Sequence, residues 1–140
     1  MVHALQRAGQ RLRSGGTLIS IRPHPTWRPL VSILTGKRRS PVARLINPDF
    51  DRYLRATEAA LQRVVDEGWF GNARRRSRQY RIRLANLSQL RSYLELINPP
   101  RPRFPPGTRA HLEALWKSVP PGARIEVTES MVVNALTKPR

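Results

Sequence analysis

Arg74, Arg75, Arg76, Arg78, Arg81 and Arg83 crowd the segment RRRSRQYRIRL, and Lys37, Arg38 and Arg39 form a second basic cluster in TGKRRS. A guanidinium offers paired N–H donors that fork onto a phosphate, so arginines recurring along an exposed strand can follow a nucleic-acid backbone. Nucleic-acid binding is therefore expected at these positions if they share a surface. A solvated face, or one opposing an acidic partner, is the competing expectation. No stacking platform supports the clusters, because Tyr80 is expected to point inward. The whole chain of 140 residues is basic, with 26 Lys and Arg against nine Asp and Glu, a formal net charge of +17. Such a field attracts polyanions. Only Lys37, Lys117 and Lys138 are lysine, and an arginine bias of this kind also arises in a GC-rich genome without any binding role.

Arg22 and His24 lie in RPHPTWRP, a proline-broken loop at the carboxyl end of a strand, where contacts to substrate or partner often gather. Other catalytic groupings are thin. Asp66 and Glu67 are adjacent, and adjacent residues on a helix diverge, so no acid and base pair is expected from them. Ser20 and Ser32 lack the G-x-S-x-G context of a hydrolase nucleophile. The absence of cysteine excludes a disulfide framework, a thiolate metal site and a cysteine nucleophile. His3, His24 and His111 are scattered without acidic companions at ligand spacing, so no metal is expected.

The elements that must position these groups follow from periodicity. Leu5, Ala8 and Leu12 recur at helical spacing in residues 2 to 13, and Gly15 or Gly16 stops that helix. Thr17 to Ile21 is apolar at nearly every position, the pattern of a strand covered on both faces. LVSIL and PVARLI flank the polar TGKRRS as a hairpin. NPDFDRYLRATEAALQRVVDEGWF reads as a long helix, capped by Asn47, with Pro48 first, Asp49 and Asp51 at the positive end of the dipole, and Gly68 closing it. Its expected buried stripe is Phe50, Tyr53, Leu54, Leu61, Val64 and Val65. In RRRSRQYRIRL, Tyr80, Ile82 and Leu84 are expected inward and Arg81 and Arg83 in water. Asn86 caps a helix carrying Leu87, Leu90, Leu94 and Ile97, and the proline-rich loop 99–107 follows. Thr108 is expected to cap a further helix with Leu112, Leu115 and Trp116 inward. ARIEVTESMVVNAL closes the chain as a strand with Ile125, Val127, Met131, Val133 and Ala135 on one side. The expected result is a single domain over residues 1–140 of mixed α and β structure.

At this point the order resembles the carboxyl-terminal half of a class I S-adenosylmethionine-dependent methyltransferase. ALQRAGQRLRSGGTLISIRP is similar to that family's helix-Gly-Gly passage into its fifth strand, and RRRSRQYRIRL and ARIEVTESMVVNAL to its antiparallel sixth and seventh strands. The likeness runs from Ala4 to Leu136. It implies an α/β fold: a partial Rossmann-like methyltransferase sheet of one helix-strand unit, an inserted hairpin and an antiparallel terminal strand pair, with covering helices. The family binds its cofactor through a glycine-rich turn after the first strand and an acid ending the second. Neither has a counterpart here. The glycines stand at 9, 15, 16, 36, 68, 71, 107 and 122 and form no G-x-G-x-x-G. Gly15 and Gly16 follow a helix and precede a strand, the reverse of a phosphate loop. No cofactor residue is carried over, and S-adenosylmethionine is expected only if another chain or segment completes the site.

In the family the fifth strand pairs with the fourth, so strand 17–21 keeps an open flank unless the hairpin, a second copy or another protein covers it. Self-association or a separately encoded amino-terminal half is expected; a wrongly assigned start at Met1, or a gene fragment, produces the same pattern. The resemblance implies a non-catalytic or partner-dependent methyltransferase-like domain. The alternatives are a small basic nucleic-acid-binding protein and a fragment of a full-length methyltransferase. Any enzymatic activity would be methyl transfer completed by the missing half, with no acceptor readable. No apolar run reaches the roughly 18 residues of a membrane helix, so no membrane is expected. Arg7, Arg11 and Arg13, with no acid before Asp49, resemble a transit segment. The Gly-Gly stop and TLISI that follow instead suit a folded domain, and the expected location is cytoplasmic.

Overall fold

The computed structural model describes residues 1–140 except Trp27, Asn72, Ala73 and residues 98–100, so Trp27 of the first loop and the opening of the 99–107 loop lie outside the described residues. Among the described residues the chain forms four helices and five strands: α1 (Val2–Arg11), β1 (Thr17–Pro23), β2 (Leu30–Thr35), β3 (Arg38–Arg44), α2 (Pro48–Asp66), β4 (Arg74–Leu84), α3 (Leu87–Leu96), α4 (Thr108–Trp116) and β5 (Arg124–Thr137). The strands make one open antiparallel sheet in the order β1-β5-β2-β3, with β4 also pairing β5. The expectation of mixed α and β structure holds at this level. β5 pairs with β1 through residues 131–137 and with β2 through residues 124–128. The chain divides into two units, one comprising Met1–Pro25, Asp51–Arg78 and Met131–Arg140, the other Thr26–Phe50 and Gln79–Ser130.

In the first unit, Leu61 and Val64 of α2, Phe70 and Leu136 form the core, joined by Val2, Leu5 and Leu12 of the amino-terminal segment and Leu18 of β1. Gly15 takes a positive φ of 73° at the turn out of α1, a conformation open to glycine at little cost. The end of the chain secures this turn. Gly15 N donates to Lys138 O at 3.0 Å, Lys138 N to Gly16 O at 2.8 Å, and Lys138 Nζ to Leu12 O at 2.7 Å beside the helix end. β1 departs from its expected burial. Leu18 packs inward, yet Ile19 is 53% and Ile21 65% exposed. Successive strand residues face opposite ways, and the helices of this unit cover only the Leu18 side. In α2, Asn47 Oδ1 accepts from Phe50 N at 3.4 Å, as a cap should, and Leu54, Leu61 and Val64 are buried. Tyr53 is 55% exposed rather than part of the stripe. It lies about 100° around the helix from Leu54, and only Leu54 meets the core. Arg52 stacks over the Tyr53 ring at 5.7 Å instead.

In the second unit, Val31, Ile33, Leu45, Leu90, Leu112, Ile125 and Val127 make the core, with Ile82, Leu84 and Trp116 packed against it. Asn86 caps α3 as expected, its side chain accepting from Gln89 N at 2.9 Å. Thr108 does not cap α4. Gly107 is the capping residue at φ 77°, while Thr108 is the first helical residue and its Oγ1 donates to Pro105 O at 2.8 Å. A cap must stand just before the helix, and the chain reaches α4 through a left-handed turn that favours Gly107. Leu115 also stays at the surface. β5 is buried on both sides at its start, residues 125–128, and alternates only beyond it. Ile125 and Val127 are fully buried, but from residue 132 onward Val132, Asn134 and Leu136 are the buried set and Val133 and Ala135 are half-buried. Leu136 belongs to the first unit's core, so the helices packed there select the other side of the strand.

Tyr93 Oη donates to Glu129 Oε1 at 2.9 Å within the second unit. Burial pushes the Glu129 carboxyl up despite this bond, and burial together with Glu129 pushes the Tyr93 phenol up. A carboxyl with a raised folded-state pKa binds its proton more tightly folded than unfolded. It therefore costs stability as pH rises above its unfolded value of about 4.3. Glu129→Gln keeps an acceptor for Tyr93 and is expected to raise the melting temperature at pH 7.5 by a few degrees, the response of a chain this size to about 1 kcal/mol. Near pH 4 the two proteins should melt together. Equal gains at both pH values would assign the effect to packing.

Candidate functional site

Glu126 and Ser32 are register partners between β5 and β2 and share one face of the sheet in the second unit. Both are fully buried, and Ser32 Oγ has no hydrogen-bond partner. The carboxylate is met by guanidiniums. Arg39 Nε donates to Glu126 Oε1 at 2.5 Å, Arg83 Nε donates to Oε2 at 3.5 Å, and Arg81 Nε stands 4.0 Å from Oε1. β3 supplies Arg39 from across β2. β4 supplies Arg81 and Arg83 two residues apart, so alternation aims both the same way while Ile82 and Leu84 enter the core. Burial alone would push the Glu126 carboxyl up, but the Arg39 bond, reinforced by Arg83 and Arg81, holds it below the usual carboxylate range. Three guanidiniums on one carboxylate leave two positive charges uncompensated. Lys37 follows Gly36, at φ 58°, in the turn that joins β2 to β3, Arg38 opens β3, and both are exposed.

In the first unit Arg22 is buried rather than presented on the loop. Its Nη2 pairs with Glu58, and its Nη1 donates to Asn134 Oδ1 at 3.3 Å and Ser20 Oγ at 3.4 Å. Glu58 also holds Arg75, whose Nη1 lies 3.2 Å from Oε2. Arg74, Arg76 and Arg78 are exposed on the same strand, and His24 is half-buried in the loop after β1. The two basic clusters thus come together in part. Arg39, Arg81 and Arg83 converge on Glu126, whereas Arg75 turns to Glu58 in the other unit. Tyr80, expected inward, is 40% exposed. Sequence reading missed Glu126 and Glu58. An acid set between Ile125 and Val127 in an apolar strand was a signal for the first; Glu58 gave none. Asp66 and Glu67 stay apart in their contacts, Asp66 accepting from Gln62 at 2.8 Å and Glu67 held by Arg63 at 2.6 Å and Gln6 at 2.9 Å.

A cofactor cradle needs free backbone donors, and the Gly15-Gly16 turn has none to give. Gly15 N is spent on Lys138 O and Gly16 N on Arg13 O at 2.8 Å, while a Cβ on Gly16 would stand 2.8 Å from that carbonyl. These glycines serve the helix-to-strand turn and do not fit the S-adenosylmethionine site of the resembled family. A cavity of about 480 Å³ lies between α3, α4 and the 101–107 segment, walled by Leu90, Leu94, Phe104 and Leu112. None of the candidate residues lines it. Among the described residues no helix is long and apolar enough to cross a membrane. No protein-family model, curated protein or solved structure matches the chain.

Proposed function

We propose that this chain is a non-catalytic methyltransferase-like half-domain that acts when a second polypeptide completes its sheet at β1, and that it does not hold S-adenosylmethionine alone. One observation carries the reading. β1 is an apolar strand that, among the described residues, pairs with β5 alone, and it leaves Ile19 and Ile21 in water. An edge strand without a guarding charge on its exposed face invites another strand, and burying two isoleucines rewards the pairing. Support for the methyltransferase likeness comes from the order of α1, β1 and α2 and from the pairing of β4 and β1 with β5. In the resembled family the fourth strand occupies this edge. The fourth strand of that family therefore defines what the partner would supply: a parallel or antiparallel strand together with an apolar cover for Ile19 and Ile21.

Calorimetric titration of the nuclease-treated chain with S-adenosylmethionine, and in parallel with S-adenosylhomocysteine, tests this. No saturable heat is expected. Saturable binding overturns the reading and places a cofactor site on residues outside the family pattern. Sedimentation of the chain and of an Ile19→Lys, Ile21→Lys variant then identifies the partner. Dimerisation lost in the variant assigns it to a second copy, and monomers in both exclude a second copy.

A further inference from the structure

We propose that the Arg39, Arg81 and Arg83 face of the second unit binds the phosphodiester backbone of a single-stranded nucleic acid, with Lys37 and Arg38 extending the contact. The inference does not depend on what covers β1. Its basis is the manner in which Glu126 uses its three arginines. Each guanidinium approaches the carboxylate through Nε, and no partner for the terminal Nη atoms is seen among the described residues. The edge that forks onto a phosphate is therefore left over on all three. Glu126 is ionised beneath them and offsets one of their three charges, so the cluster stays net positive. The arginines remain one-third to two-thirds exposed while Glu126 is closed off, so a ligand meets guanidinium and not carboxylate.

The spacing favours a strand-like ligand. Arg81 and Arg83 stand about 7 Å apart along β4, two residues of an extended chain. Arg39 reaches the same carboxylate from β3, so three guanidiniums gather at one point, and Lys37 and Arg38 precede Arg39 at the hairpin end. A flexible single strand can set one phosphate on this cluster and the next towards Lys37 and Arg38, whereas a small anion would engage the cluster alone. Arginine is also the better choice here than lysine, because its planar fork loses less freedom on each phosphate contact.

The test uses fluorescence anisotropy of the whole, nuclease-treated chain with a labelled oligouridylate of about 16 nucleotides. Arg81→Gln, Arg83→Gln is compared with Arg7→Gln, Arg11→Gln, which removes the same charge from α1. The expected result is about a tenfold loss of affinity for the β4 variant and a salt slope smaller by about 1.4, from about 0.7 for each lost phosphate contact. The α1 variant should stay within about twofold of the parent chain. Equal losses in both would overturn the proposal, since net charge would then explain binding. Competition by polyglutamate or by phosphatidylserine vesicles as effective as by unlabelled oligonucleotide would also overturn it. Should the β4 variant lose its fold by circular dichroism, hydrogen exchange on the parent chain decides. Protection on adding oligonucleotide is expected at residues 37–39 and 81–83, and protection confined elsewhere refutes the site.

Discussion

Glu126→Gln is expected to lower stability by about 2 kcal/mol, the order of a charge-assisted hydrogen bond, while tightening oligonucleotide binding severalfold at low salt. The two effects share one cause. A carboxylate held below its usual pKa stabilises the fold at any pH above its unfolded value of about 4.3, and that stabilisation is lost as pH falls through the folded value. With glutamine the Arg39 bond persists in weakened form, but the three guanidiniums face one another with no countercharge. Their partial exposure lets water take up much of the strain, which keeps the loss below that of a fully buried pair. The same removal adds one unit of positive charge to the face that phosphates would meet. Urea unfolding at pH 7 and near pH 3.5 measures the first effect, and the gap between parent and variant should narrow at the lower pH. Anisotropy measures the second. Weaker binding by a folded E126Q chain would mean that the carboxylate positions the arginines more than it repels the ligand.

The larger loss is expected in the first unit. Glu58→Gln should cost about 3 kcal/mol, the low end for a broken buried ion pair because Glu58 is itself 26% exposed. Arg22 cannot shed its proton and is only 7% exposed, so without Glu58 it remains a charge in the core whose Nε already lacks a partner. Arg22→Met should cost less. It leaves Asn134 and Ser20 without a donor, but Glu58 keeps Arg75 and partial access to water. Combining the two substitutions should recover part of the Glu58→Gln loss, since the unpaired guanidinium is gone. Chemical denaturation of the three variants gives the order directly. If Arg22→Met proves the costlier single change, the bonds from Arg22 to Asn134 and Ser20 outweigh its pairing with Glu58.

The helices, their caps at Asn47 and Asn86, the hairpin and the Gly-Gly turn could be placed from sequence because each depends on neighbours within a few residues: a periodic stripe, a side chain accepting a nearby amide, a glycine at positive φ. The alternation that sends Arg81 and Arg83 one way and Ile82 and Leu84 the other is equally local. Which side of a strand is covered is not. Ile19 and Ile21 look as buried in sequence as Leu18, and Val133 as buried as Val132, because an apolar run carries no mark of where helices will pack. The meeting of Arg39, from a hairpin, with Arg81, Arg83 and Glu126, from separate strands, joins residues up to 87 positions apart and needed the sheet register to exist. The sequence by itself determined the elements and the excess of positive charge. The tertiary structure alone decided that Arg22 is a core ion-pair partner and that one buried carboxylate gathers three arginines, because strand pairing and burial are set by contacts distant along the chain.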